Sequence, residues 1–182
     1  MQRYIALLRG INVGGHTVKM ETLRTYLEAI GLSNVSTFIA SGNVIFESDV
    51  ADTAAVEKQI EEKLFEELGY RVPAYVRSDS EIVAVASYSP FPAEKLAQDG
   101  SSLYVVFLRA APAEMARDKV LAARTTTDEF HVHGREIYWW CRTKISDSPL
   151  FSGSLLDKTI GAPSTTRNIT TVRKLADRLA TN

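Results

Sequence analysis

What this chain has little of narrows its chemistry first. Cys141 is the one cysteine among 182 residues. It allows no internal disulfide and no multi-cysteine metal site, and it points to a reducing cytoplasm. Charge of one sign is not in excess: 21 basic against 22 acidic side chains leave a formal net charge of -1. A protein that grips nucleic acid over a wide face is usually basic, so any anion site here must be local. No apolar run approaches membrane-spanning length, and Met1-Gln2-Arg3 leads straight into a strand pattern without a secretion signal. Low-complexity segments are also missing. The remaining composition, 45% hydrophobic and 24% charged, is that of a globular protein long enough to bury a real core.

The first half patterns clearly. Residues 4–8 are a short apolar strand. Met20, Leu23, Leu27 and Ile30 recur at helical spacing, and Gly31 supplies a stop. Residues 35–39 and 43–48 are β-rich around Ser41-Gly42, which predicts a hairpin. Asp52 is placed to cap a helix striped by Val56, Ile60, Leu64 and Leu68 and closed by Gly69. A short strand over 74–77 follows Pro73. The order β-α-β-β-α-β is the split βαβ, or ferredoxin-like, pattern.

Ser78 and Glu81 have capping-box spacing before a linking helix, which the 88–92 segment with its two prolines breaks. Residues 93–100 are polar and predict a surface connection. The second half opens with the apolar strand 103–108, then a helix from Pro112 to about residue 122. Strands over 128–133 and 136–141 flank Gly134-Arg135, a hairpin turn with glycine first. A short helix over 154–160 and a terminal helix capped by Asn168 complete a β-α-β-β-α order, the same unit without its last strand. The expected fold is therefore α+β: two ferredoxin-like halves, 1–78 and 79–182, forming a duplicated sandwich of sheets and helices. The echo is one of element order rather than residue identity.

The most informative stretch is Arg9-Gly10-Ile11-Asn12-Val13-Gly14-Gly15. Ten residues, 9–18, separate the first strand from the helical pattern, where such connections usually run about 2–6. Gly10, Gly14 and Gly15 permit positive φ, and successive amides in such a turn can form an anion-binding nest. Arg9 offers a planar fork to phosphate or carboxylate, and Lys19 stands near the helix start, where a bound anion would meet it. Residues 10–17 read as a phosphate-binding loop with His16 where the lysine belongs. That exchange, and the fold, exclude an NTPase, and the spacing does not fit a dinucleotide fingerprint. A loop that merely packs over the sheet explains the same residues.

Ser41-Gly42-Asn43 is accounted for by turn chemistry alone. Asn168 reads most simply as a helix cap, but Arg167 beside it is a cation at a disfavoured position. In the second hairpin His133 faces Glu136 and His131 faces Tyr138, while Phe130, Val132, Ile137, Trp139 and Cys141 share the face that should be core. His131 and His133 with Glu129 and Glu136 on one face could bind zinc, but a metal site also needs a third firm ligand held by supporting hydrogen bonds, and isolated histidine pairs on strand faces are usually surface residues. No metal or other cofactor is expected, and no Ser-His-Asp or Cys-His signature is present.

Three segments carry a resemblance. Residues 6–15 (ALLRGINVGG), residues 37–46 (TFIASGNVIF), and Thr166-Arg167-Asn168 with residues 171–175 (TVRKL) are similar to a widespread bacterial family, domain of unknown function 1697. The resemblance spans nearly the whole chain and implies a single-domain protein of paired ferredoxin-like units. It implies no activity, substrate or cofactor. The family pattern usually has tryptophan after Arg167-Asn168, and this chain has Ile169. The resemblance further implies that the three segments converge, with Arg9, Asn12, Asn43, Arg167 and Asn168 around one pocket.

Hydrogen-bond donors dominate that set, so the expected partner is an anionic or acceptor-rich molecule: a nucleotide, a phosphometabolite or a short nucleic acid. The ligand-binding residues would be Arg9, Gly10, Asn12, Gly14, Gly15, Lys19, Ser41, Gly42, Asn43, Arg167 and Asn168. With no evident nucleophile or general base, binding is expected rather than catalysis. No membrane partner is expected, and the sequence does not define an oligomeric state. A protein-interaction or structural module without a ligand, and an enzyme of undetected type, are the alternative readings.

Overall fold

Strand β1 (Gln2–Leu8) is the spine of the first sheet, and its apolar composition follows from pairing on both edges. It runs antiparallel to β3 (Asn43–Ser48), from Gln2↔Ser48 to Leu7↔Asn43, and to β4 (Ala74–Ser78), from Tyr4↔Ser78 to Leu8↔Ala74. With β2 (Ser33–Phe38) outside β3, the sheet order is β2-β3-β1-β4. The computed structural model describes residues 1–39, 42–151 and 154–181, which fall into two compact units, Met1–Val83 and Ala84–Asn182.

Alternation sorts the side chains of the first sheet. Tyr4, Ala6 and Leu8, with Val44, Phe46 and Val76, enter one core with the buried faces of two helices. These are α1 (Met20–Glu28), through Leu23 and Leu27, and α2 (Thr53–Leu68), through Val56, Ile60 and Leu64. Each such aliphatic side chain contributes about 1.5–3 kcal/mol on burial, so packing rather than helix propensity holds both helices. Helix α2 begins and ends as the sequence predicts. The Asp52 carboxylate accepts from Ala54 N at 3.0 Å, and Gly69 closes the last turn at φ 76°.

Two partners of strand β4, Glu57 and Glu61, were not visible in the pattern, whereas the Ser78–Glu81 pair is the predicted capping box, with Glu81 N donating to Ser78 Oγ at 3.2 Å. Strand β4 is an edge strand, and its outward amides would otherwise invite another chain. Ala74 N donates to Glu61 at 2.7 Å, Val76 N to Glu57 at 2.8 Å and Ser78 N to Glu81 at 2.8 Å. Glu57 is buried as a result. Glu81 belongs to α3 (Asp79–Ser87).

In the second unit α4 (Ala93–Leu96) is a single turn within the segment expected to be a plain connection. Then come β5 (Ser102–Phe107), α5 (Glu114–Ala122), β6 (Asp128–His133) and β7 (Glu136–Cys141). Two 3-10 turns, α6 (Leu155–Ile160), β8 (Thr165–Asn168) and α7 (Ile169–Ala180) follow. The sheet order is β6-β7-β5-β8, the same arrangement as the first. The β-α-β-β-α expectation was one strand short: residues 165–168 pair with β5 from Tyr104↔Asn168 to Phe107↔Thr165. Their polar sequence, Thr-Thr-Arg-Asn, hides a strand that exists because β5 offers it an edge.

The β6–β7 register is the predicted one, with His133 opposite Glu136 and His131 opposite Tyr138. Phe130, Ile137, Trp139 and Cys141 pack with Val106, Val120 and Ile160 in the second core. Asp128 is buried there without exposure, accepting from Trp139 Nε1 at 2.7 Å and from the hydroxyls of Thr125 and Thr127 at 2.9 and 3.1 Å.

Candidate functional site

The loop 9–19 leaves β1 at a point tied to its neighbours. Leu8 N donates to Gly42 O at 2.8 Å and Arg9 N to Pro73 O at 2.9 Å. Gly10 turns the chain at φ 73°, and Ile11 enters the core. Three further contacts hold the loop. Tyr70 Oη donates to Ile11 O at 2.9 Å, Asn12 Oδ1 accepts from Val18 N at 2.8 Å, and the His16 ring stacks on Tyr70 with centroids 4.0 Å apart. Burial raises the Tyr70 pKa, which keeps its phenol proton available for Ile11. Asn12 therefore has a structural task inside the loop.

The loop tip is different. Val13, Gly14, Gly15, His16 and Thr17 are exposed. Gly14 and Gly15 have φ of 65° and 87°, and a Cβ on either would meet no described atom within 4 Å. His16 N donates to Val13 O at 3.2 Å, so the two glycines are the central residues of a tight turn at the loop tip. Arg9 is half-buried at one end of the loop, and Lys19 is exposed at the other, next to α1, whose start has no side-chain cap.

The hairpin motif joins this loop from beneath. A Cβ on Gly42, at φ 77°, would lie 2.8 Å from Ile11 Cγ2 and 3.1 Å from Leu8 Cβ. Only glycine permits that approach. Asn43 is fully buried and donates from Nδ2 to Phe38 O at 3.0 Å, across the hairpin. Ser41 lies outside the described residues. The first unit thus packs Gly42 against Ile11 at the root of the loop, buries Asn43 in the hairpin, and leaves Gly14, Gly15 and Lys19 exposed.

Arg167 and Asn168 belong to the second unit. Arg167 is buried on β8, where Nη1 donates to Thr165 Oγ1 at 2.8 Å and Thr166 O at 2.9 Å. Loss of solvent pushes its pKa down to about 10. Asn168 caps α7, its Oδ1 accepting from Thr170 N at 2.8 Å. Ile169 is buried in the second unit.

The histidine hairpin is organised around Tyr88, a residue read from sequence only as part of a helix break. Its hydroxyl shares a hydrogen bond of 2.8 Å with His131 Nε2, and its ring stacks on His133 at 4.1 Å. Burial, His133 and Arg117 together lower the His131 pKa. No group of three or more metal-capable side chains occurs among the described residues. Cys141 is buried, its thiol donates to Thr143 O at 3.2 Å, and burial raises its pKa, so it is a poor nucleophile.

The family described as protein of unknown function (DUF1697) matches residues 1–138, which hold the whole loop and hairpin and stop short of Arg167. A solved structure, that of the conserved bacterial protein SP0830 from Streptococcus pneumoniae, is similar over 99% of this chain and 99% of that one. The TM-score is 0.74 and the identity 26%. No curated protein matches the chain. No helix among the described residues is long and apolar enough to cross a membrane.

Proposed function

Because this chain belongs to DUF1697, a family of unknown function, we propose its role from the loop geometry alone: a small cytoplasmic module that binds an anionic or acceptor-rich ligand at loop 9–19. The ligand class is a nucleotide, a phosphometabolite or a short nucleic acid. One observation carries the reading. The exposed pair Gly14-Gly15, both in left-handed backbone, stands on a loop pinned at Ile11, Asn12 and His16. A loop already ordered loses little conformational freedom when a ligand arrives. Arg9 and Lys19 supply positive charge from its two ends, and the single buried cysteine suits a reducing compartment.

A second reading rests on Gly42 and Arg167. The close approach of Gly42 to Ile11 and the bonds of Arg167 to its own strand are what a scaffold needs. On that reading the motifs lock the fold, and the protein serves as an interaction or structural module.

A thermal-shift screen against nucleotides, phosphorylated metabolites and oligonucleotides separates the two. A ligand at 100 times its Kd should stabilise the fold by about 2.7 kcal/mol. The shift should shrink in Arg9→Ala and Lys19→Ala and persist in Lys174→Ala. If no compound shifts the wild type, or the loop variants respond equally, the scaffold reading stands and the binding reading falls.

A further inference from the structure

We propose that the second unit carries a ligand site of its own, for a small organic anion with an apolar body, of the acyl or aryl carboxylate class. It is the cleft between α5 and α6. The reading is independent of loop 9–19.

The cleft has a volume of about 550 Å3, within the span of roughly 300–1,000 Å3 usual for small-molecule sites. Its walls are the connection 108–113, the facing sides of α5 and α6, and the turn 161–163. The cleft is open because those connections are built of small residues, with alanine at 110, 111, 113 and 162 and glycine at 161. Leu108 and Ile160, both buried, form its apolar base, and Met115, 72% exposed, stands on its rim.

Three cations border this apolar space: Arg109 from the strand end, Lys119 from α5 and Lys158 from α6. Among the described residues, no aspartate or glutamate lines it. Positive charge from three separate elements around an apolar base complements an anionic head on an apolar body. Its described lining holds no phenylalanine, tyrosine, tryptophan or histidine, so it offers no aromatic ring on which a nucleobase would stack. That separates its ligand from the one proposed for the loop. Arg109 is also the counterpart of Arg9. Leu8 N donates to Gly42 O and Leu108 N to Arg135 O, each at the turn of the adjacent hairpin, so both arginines follow the same strand end in the duplicated unit.

The three methionines report the site directly. Met115 borders the cleft and Met20 begins the helix after loop 9–19. In an octanoate titration of the full chain followed by methionine methyl NMR, the Met115 resonance should move saturably while Met1 and Met20 stay. Octanamide, of the same shape without charge, should bind at least tenfold more weakly. The double variant Lys119→Glu/Lys158→Glu alters two exposed positions and should also weaken octanoate at least tenfold. A Met115 resonance that does not respond to octanoate, octanamide binding as tightly as octanoate, or a double variant that binds unchanged would each overturn the proposal.

Discussion

Arg77 and Arg167 occupy the same place in two different sheets. Arg77 pairs with Ile5 on β1, and Arg167 pairs with Val105 on β5. Each sits on the edge strand beside the first strand of its unit, and each donates from Nη1 to the carbonyl of the residue before it at 2.9 Å. Both are buried. The same register matches Tyr4 with Tyr104 and Leu8 with Leu108. The duplication is therefore one of residues as well as of element order. It escapes a fixed-period search because the connections differ in length between the units.

Arg167→Ala should destabilise the protein by about 2–4 kcal/mol, from the space left and the hydrogen bonds lost. Arg167→Met fills most of that volume without burying a charge and should recover at least half of the loss. Urea unfolding followed by circular dichroism measures both. Equal losses in the two variants would mean that the hydrogen bonds, not the volume, are what the site needs.

Gly42 and Gly14 share a left-handed backbone but not a setting. Gly42→Ala must displace Ile11 or Leu8 as well as accept positive φ, at a cost of about 2–4 kcal/mol. Gly14→Ala meets open space and should cost only about 1 kcal/mol. The same unfolding experiment checks the order, and a Gly14 variant as unstable as the Gly42 variant contradicts it.

Glu57 guards an edge. Replacing it with alanine leaves the Val76 amide without its carboxylate partner and should cost about 1–3 kcal/mol. Glu57→Gln keeps an acceptor oxygen and should cost less. Urea unfolding followed by circular dichroism measures both variants, and a Glu57→Gln variant as unstable as Glu57→Ala would contradict this order.

His131 sets a pH dependence with a definite sign. An unfolded histidine titrates near 6.5, and the folded His131 titrates below that, chiefly because it is desolvated. Between those two values the unfolded chain binds more protons, so stability falls as pH drops through 6.5 and levels off once the folded imidazole is charged. Desolvation, the neighbouring His133 and Arg117 all act on the ring in this same direction. Thermal midpoints measured from about pH 7.5 down to about pH 5 should decline less steeply in His131→Gln than in wild type.

The elements legible in the sequence were those whose signals are local. Asp52 and Gly69 bound α2, and Gly134-Arg135 set the β6–β7 register, because a cap or a turn is chemistry between near neighbours. Strand β8 was not legible, since Thr-Thr-Arg-Asn becomes a strand only beside β5. Glu57 looks like any solvated position on a helix until β4 lies against it. The candidate site divides in the same way. The exposed Gly14 and Gly15 follow from composition, whereas the contact of Gly42 with Ile11 joins residues far apart in sequence. Asn12 accepts from Val18 N through Oδ1, a link within the loop that its sequence neighbours do not signal.

Trp139, held by Asp128, and its neighbour Trp140 are the two tryptophans of the chain, and both lie on β7. A protein built from two similar halves thus carries an optical label on one of them. Tryptophan-selective fluorescence follows the second unit alone, while far-ultraviolet circular dichroism follows both. Coincident melting traces would show two halves unfolding as one cooperative body, and separated traces two bodies joined by a chain.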